Sequence, residues 1–203
     1  MAKYQNKYRI ESARAQWWDY GWNGAYFITI CTKNREHFFG EILKTQFIAS
    51  PLGILAETIW YEIPNQFRYA ELGDFVVMPN HFHGILILDK PDGENKNVVN
   101  DTNVVNVETR LIASLQNVEQ NQNHPNRGGF TGNKNPMIND NISRIIRWFK
   151  GRCSFEITKI QTDFAWQSRF HDHIIRNDVE YQRISDYISN NPANWHEDKF
   201  YSL

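Results

Sequence analysis

The stretch Phe75-Val76-Val77-Met78-Pro79-Asn80-His81-Phe82-His83-Gly84-Ile85-Leu86-Ile87-Leu88 constrains this chain most. Both of its arms are β-branched and apolar, which marks buried strand material, Leu72 to Met78 before a Pro79-Asn80 bend and Gly84 to Leu88 after it. In a strand, residues i and i+2 share a face. His81 and His83 therefore project together, while Phe82 points the other way into apolar packing. Two imidazoles side by side on a rigid element are the beginning of a divalent metal site. The plainer alternative is two hydrogen-bonded polar residues at a strand end. Burial of two imidazoles in such a run is costly without a partner for them, and this favours a site.

Several elements frame that segment. Residues 25–32 alternate and form a strand, followed by a loop or short edge element over Arg35 to Gly40. Ser50 as N-cap and Pro51 at the first helical position open a helix, with Leu52, Leu55, Ile59 and Ile63 at helical spacing and an end near Pro64. Residues 90–140 are rich in Asn, Gly, Asp and Gln, which predicts a flexible insertion with at most a short helix around Glu108 to Val118. Ile142, Ile145, Ile146 and Phe149 mark an amphipathic helix. A last helix starts at Asn177, with Glu180 three residues on as in a capping box, and closes at Pro192. Tyr187 and Asn191 lie four apart on it and share a face.

The chain of 203 residues, 41% of them hydrophobic, is expected to form one domain over 1–203. Cys31 and Cys153 are too far apart for a metal-type pair and suggest no disulfide framework. No stretch approaches the ~20 apolar residues that span a bilayer, and the polar N-terminus lacks a signal core. A cytoplasmic location without membrane contact is the expectation. The net charge of −1 argues mildly against a protein that coats nucleic acid. Between Asn141 and Asn177, however, seven basic residues outnumber three acidic ones. Arg144, Arg147, Lys150, Arg152, Arg169 and Arg176 are thus candidate nucleic-acid contacts, unless they are an ordinary solvated surface. Trp166-Gln167, Trp17 and Trp18 add aromatic planes of the kind that stack on unpaired bases.

Four segments in order carry a resemblance. Trp18-Asp19-Tyr20 with Tyr26-Phe27-Ile28-Thr29-Ile30-Cys31-Thr32-Lys33-Asn34-Arg35, then Met78-Pro79-Asn80-His81-Phe82-His83-Gly84, Trp166-Gln167-Ser168-Arg169-Phe170-His171-Asp172-His173-Ile174-Ile175-Arg176-Asn177, and Asp186-Tyr187-Ile188-Ser189-Asn190-Asn191-Pro192 resemble the single-tyrosine HUH transposases, closest to the REP-associated branch with its IS200-like domain. The resemblance covers roughly residues 17–90 and 141–195. It implies an α+β fold with a ferredoxin-like central antiparallel sheet and helices packed on it. It implies Tyr187 as nucleophile, and His81, His83 and Asn191 as ligands of Mg²⁺ or Mn²⁺. His171 and His173 form a second His-x-His, read as a loop before the last helix that could bind metal or phosphate; the resemblance places His173 near the active site, as a phosphate contact or as a structural residue, and Tyr181 as structural. The implied activity is endonucleolytic cleavage and rejoining of single-stranded DNA, as in DNA transposition and recombination, through a 5′-phosphotyrosine link, at hairpin-forming repeats.

The insertion at 90–140 and the low net charge depart from the compact members of that family. The implied partner is single-stranded or hairpin DNA, with no small-molecule substrate, and a homodimer is left open. Two rivals stay open too. One is a domesticated protein that binds hairpin nucleic acid without cutting it. The other is a metal-dependent nuclease that uses water, for which Tyr187 would be dispensable.

Overall fold

Alternation along two long strands sorts the side chains of this protein onto two faces. In chain order, the computed structural model contains β1 (Lys3–Tyr4), β2 (Lys7–Tyr8), β3 (Gly24–Cys31), β4 (Gly40–Leu43), β5 (Gln46–Ala49), α1 (Pro51–Tyr61), α2 (Ile63–Gln66), β6 (Ala70–Met78), β7 (His81–Leu88), α3 (Ile142–Ile157), β8 (His171–Ile175) and α4 (Asp178–Asn190). The structure describes residues 19–90 and 140–201, and the backbone of β1 and β2. The insertion expected at 90–140, its helix around Glu108 to Val118, and Trp17 and Trp18 lie outside the described residues, except for the insertion's two end residues.

β3 and β7 pair antiparallel over their whole length, from Gly24 opposite Leu88 to Cys31 opposite His81. β6 joins β7 through the two-residue Pro79-Asn80 turn, with Met78 opposite His81. β8 adds to the other edge of β3. The order β6-β7-β3-β8, antiparallel throughout, is that of a ferredoxin-like sheet. Tyr26, Ile28 and Ile30 of β3 and Phe82, Leu86 and Leu88 of β7 pack with Ala56, Ile59 and Trp60 of α1 and Ile145, Ile146 and Phe149 of α3. Phe27, Ile85 and Ile87 turn to the opposite face and meet Ile184 and Ile188 of α4. The α+β fold, an antiparallel ferredoxin-like sheet with helices packed on it, is the one the resemblance implied; the structure adds that the helices cover both faces.

The caps behave as their residue types dictate. Ser50 Oγ accepts from Gly53 N at 3.1 Å, and Asn141 Oδ1 from Arg144 N at 3.0 Å. Asn177 Oδ1 accepts from Glu180 N at 2.9 Å, while the Glu180 carboxylate accepts from Arg176 N, one residue before the cap. Lys90 Nζ donates to Gly21 O and Asp140 O, both at 2.6 Å, and so ties the two flanks of residues 91–139 together.

Three sequence expectations need correction. His171 and His173 sit on strand β8, not in a loop, because pairing with β3 supplies the ladder that a short polar run cannot advertise. Residues 40–49 form a β4-β5 hairpin, beyond the loop or short edge element expected over Arg35 to Gly40. The α3 helix runs on to Ile157, since Cys153 and Ile157 continue the buried stripe of Phe149.

Gly84 interrupts β7 for a steric reason. A Cβ there would lie 2.7 Å from Trp60 Cζ2 and 3.0 Å from Phe82 Cε1. Gly84→Ala is expected to cost about 1–3 kcal/mol by forcing Trp60 off its seat, measured as a lower urea midpoint. An unchanged midpoint would show that the indole has room to move.

Candidate metal and tyrosine centre

β7 puts His81 and His83 on the α4 side of the sheet, with 0% and 1% of their surfaces exposed. The two rings lie 4.5 Å apart. Each is held through Nδ1. Asn80 Oδ1 accepts from His81 Nδ1 at 2.9 Å. This fixes the tautomer, because a carbonyl oxygen only accepts, and it leaves a lone pair on His81 Nε2. That atom is buried and has no hydrogen-bond partner. Thr29 Oγ1, on the neighbouring strand and opposite His83, lies 2.9 Å from His83 Nδ1. Asn80 is itself immobilised: its carbonyl accepts from Thr32 N and Thr32 Oγ1, and its Nδ2 donates to Phe200 O at 2.9 Å.

Helix α4 brings the other partners. Ile184 and Ile188 anchor it on Ile85 and Ile175. Tyr187 then leans over the histidines, with its hydroxyl 3.2 Å from His83 Nε2 and 3.1 Å from Asp198 Oδ2. Its ring meets Phe27 edge-on at 6.0 Å, and Phe27 in turn stacks on His83 at 5.1 Å. Asn191, one turn on, donates from Nδ2 to Asp198 Oδ2 at 3.0 Å, and its Oδ1 is buried without a partner. Tyr181, earlier on α4, is a packing residue, with its hydroxyl against Gly73 and its ring beside Ile85.

The segment after α4 closes the site, and sequence reasoning missed it. Asp198 contributes a carboxylate oxygen, and that oxygen and one nitrogen from each of His81 and His83 all lie within 4.8 Å of one another. Phe200 covers the pair, 4.7 Å from the His81 ring and 5.8 Å from that of His83, and Trp195 stacks on His81 at 5.9 Å. No spacing rule links Asp198 to His81. The only signal was the aromatic density of Trp195-His196-Glu197-Asp198-Lys199-Phe200-Tyr201.

Burial dominates the electrostatics. It pushes His81 down to about 3, with the charges of Arg35 and Lys199 acting in the same direction. It also holds His83 well below its ordinary value, helped by His81 and only partly opposed by Asp198. Both imidazoles are therefore neutral and able to donate lone pairs near pH 7. Burial and the Asp198 carboxylate raise the Tyr187 phenol to about 12. The orphaned His81 Nε2, the His83 nitrogen, the Asp198 carboxylate and the unpartnered Asn191 oxygen are a donor set that fits a divalent cation.

Among the basic candidates, α3 lies on the opposite face of the sheet from the histidines, so the structure does not bring its side chains to them. Arg144 pairs with Asp140, and Arg152 Nη2 with Glu156 Oε1 at 3.4 Å. Lys150 Nζ donates to Gln167 O at 2.5 Å and so braces the loop before β8. Arg147, Arg169 and Arg176 are exposed. His173 is on the site-facing side of β8, opposite Phe27, but its Nε2 meets Glu180 Oε1 at 2.8 Å, an interaction that ties β8 to the first turn of α4. No helix among the described residues is long and apolar enough to cross a membrane.

No known family profile matches this chain. An uncharacterized protein of Haemophilus influenzae is 32% identical over 192 residues, which cover 94% of this chain and 92% of that protein. Among solved structures, a REP-associated tyrosine transposase bound to a REP hairpin superposes with a TM-score of 0.53 at 18% identity, over 93% of this chain and 77% of that one. That likeness establishes a shared fold.

The histidine pair sets a pH dependence. An unfolded His81 binds a proton near pH 6.5 that the folded ring refuses until about 3. Between those values the unfolded state holds more protons, so stability falls as pH falls. The urea midpoint of metal-free protein is expected to drop from pH 7 to pH 5; a flat or rising midpoint would mean that the rings accept protons in place.

Proposed function

The chain belongs to the same family as the Haemophilus influenzae protein, and we propose that it is a tyrosine transposase-like enzyme that cleaves and rejoins single-stranded DNA at hairpin-forming repeats. One observation carries this reading: the Tyr187 hydroxyl lies 3.2 Å from His83 Nε2, in a site whose neighbouring His81 Nε2 is buried without a partner. A tyrosine hydroxyl beside two imidazole nitrogens that face one site is the arrangement that metal-assisted nucleophilic attack on a phosphodiester needs.

In this mechanism His81 and His83 would hold Mg²⁺ or Mn²⁺, with oxygens from Asp198 and Asn191 completing the donor set. The cation, when bound, offsets charge that develops on the phosphate oxygens. The chain's own residues do the rest. Rigid α4 aims the Tyr187 oxygen at phosphorus. Its proton leaves along the hydrogen bond to Asp198, which matters because a phenol at about 12 is a poor nucleophile while protonated. The new bond joins the tyrosine oxygen to the 5′-phosphate. The bond to the 3′-oxygen breaks, and that oxygen takes up a proton and departs as a hydroxyl. Attack by another 3′-hydroxyl reverses the step and rejoins DNA. Thr29 and Asn80 engage the Nδ1 atoms and leave both Nε2 atoms facing the site, as outer partners of metal-ligating histidines do.

Single-stranded hairpin DNA incubated with Mn²⁺ is expected to yield a covalent protein–DNA adduct, seen by denaturing gel and intact mass. Tyr187→Phe abolishes the adduct, and chelation stops it until Mn²⁺ is restored. Cleavage without an adduct would identify a nuclease that uses water; binding without cleavage would identify a recognition protein. Thr29→Val is expected to lower Mn²⁺ affinity about 10–100-fold by calorimetry, and unchanged affinity would remove Thr29 from the metal's support.

A further inference from the structure

Just past β3 the chain passes through two successive left-handed residues, Asn34 (φ 55°) and Arg35 (φ 60°). Asparagine adopts this conformation readily; arginine does so at a cost. The surroundings enforce it. Lys33 N donates to Ala165 O at 2.8 Å, and Thr32 Oγ1 donates to Glu36 O or to Asn80 O at 2.8 and 2.9 Å.

The consequence is the placement of Arg35. Its Nη1 donates to Lys199 O at 2.8 Å, and its guanidinium carbon lies 5.1 Å from the centre of the Phe200 ring. Lys199 Nζ lies 4.7 Å from the same ring. Phe200 in turn is the ring that covers His81 and His83. Two cations thus flank the roof of the histidine pair, in a protein whose net charge is −1. A phosphate that approaches this roof meets the combined positive field of the two side chains. A guanidinium fork matches phosphate geometry, and an ammonium adds a point charge.

We propose that Arg35 and Lys199 form a phosphate subsite that grips the nucleic-acid backbone beside the phosphodiester at the histidine pair. This deepens the proposed function and rests on it.

The test uses the full chain carrying Tyr187→Phe, so that DNA is bound and not consumed. Binding of a hairpin with a single-stranded tail is followed by fluorescence anisotropy across a salt series, with Arg35→Gln or Lys199→Gln added. Each variant is expected to weaken binding about 5–10-fold and to reduce the slope of log K against log salt by about 0.7, the value for one single-strand phosphate contact. DNA with a single methylphosphonate, placed in turn at each linkage near the cleavage point, should weaken binding to the parent at one position. Arg35→Gln should be indifferent to that same substitution. If both variants keep the parental slope, or if the methylphosphonate penalty persists in them, the subsite is wrong while DNA processing stands. If the parent binds no single-stranded DNA, the proposed function fails and the subsite with it. If Arg35→Gln does not fold, Lys199→Gln and the methylphosphonate series on the parent protein decide the matter.

Discussion

Strand β7 is covered on both faces, and the rest of the molecule follows from how that is made tolerable. A doubly covered strand normally consists of apolar residues. Here its first turn-side residues are two imidazoles with almost no exposed surface. Each survives burial because a fixed oxygen matches its Nδ1, from Asn80 in the preceding turn and from Thr29 on the adjacent strand. Those bonds also aim the remaining nitrogens the same way. On the other side Gly84 gives up its side chain so that the Trp60 indole can approach the strand closely. The polar and apolar demands of one strand are met on opposite sides, and alternation keeps them from interfering.

The site is assembled from three parts of the fold. Its floor is a paired sheet. Its wall is helix α4, clamped by Ile184 and Ile188 and tied to β8 through Glu180 and His173. Its roof is the 195–201 segment, held by side chains: Asn80 and Arg35 grip its carbonyls, and Asp198 accepts from Tyr187 and Asn191. Tyr187 stands where wall and roof meet, 41% exposed above histidines that have almost no exposure. A phenol at that boundary can face an incoming strand while its oxygen stays in the polar centre.

Charge is organised by position more than by amount. The near-neutral sequence hides a separation: Arg144 and Arg152 of α3 pair with acidic neighbours on the far face, whereas Arg35 and Lys199 converge on the roof of the site. Counting charges along the chain favoured α3, because clustering in sequence is visible and convergence of residues 164 apart in sequence is not.

The sequence by itself determined the local features, whose causes lie within a few residues: the shared side of His81 and His83, the caps at Ser50, Asn141 and Asn177, and the pairing of Tyr187 with Asn191 on one helical face. It also carried the family resemblance from which the ferredoxin-like sheet was expected. Strand β8 and the β4-β5 hairpin escaped it: the short β8 depends on the open edge of β3, and the four-residue strands β4 and β5 depend on each other. Only the tertiary structure decided that Thr29 would support His83, that Asp198 would stand beside Tyr187, and that Phe200 would cover both histidines. Those contacts join segments that no periodicity connects, and packing of the whole sheet against α4 is what brings them within hydrogen-bonding distance.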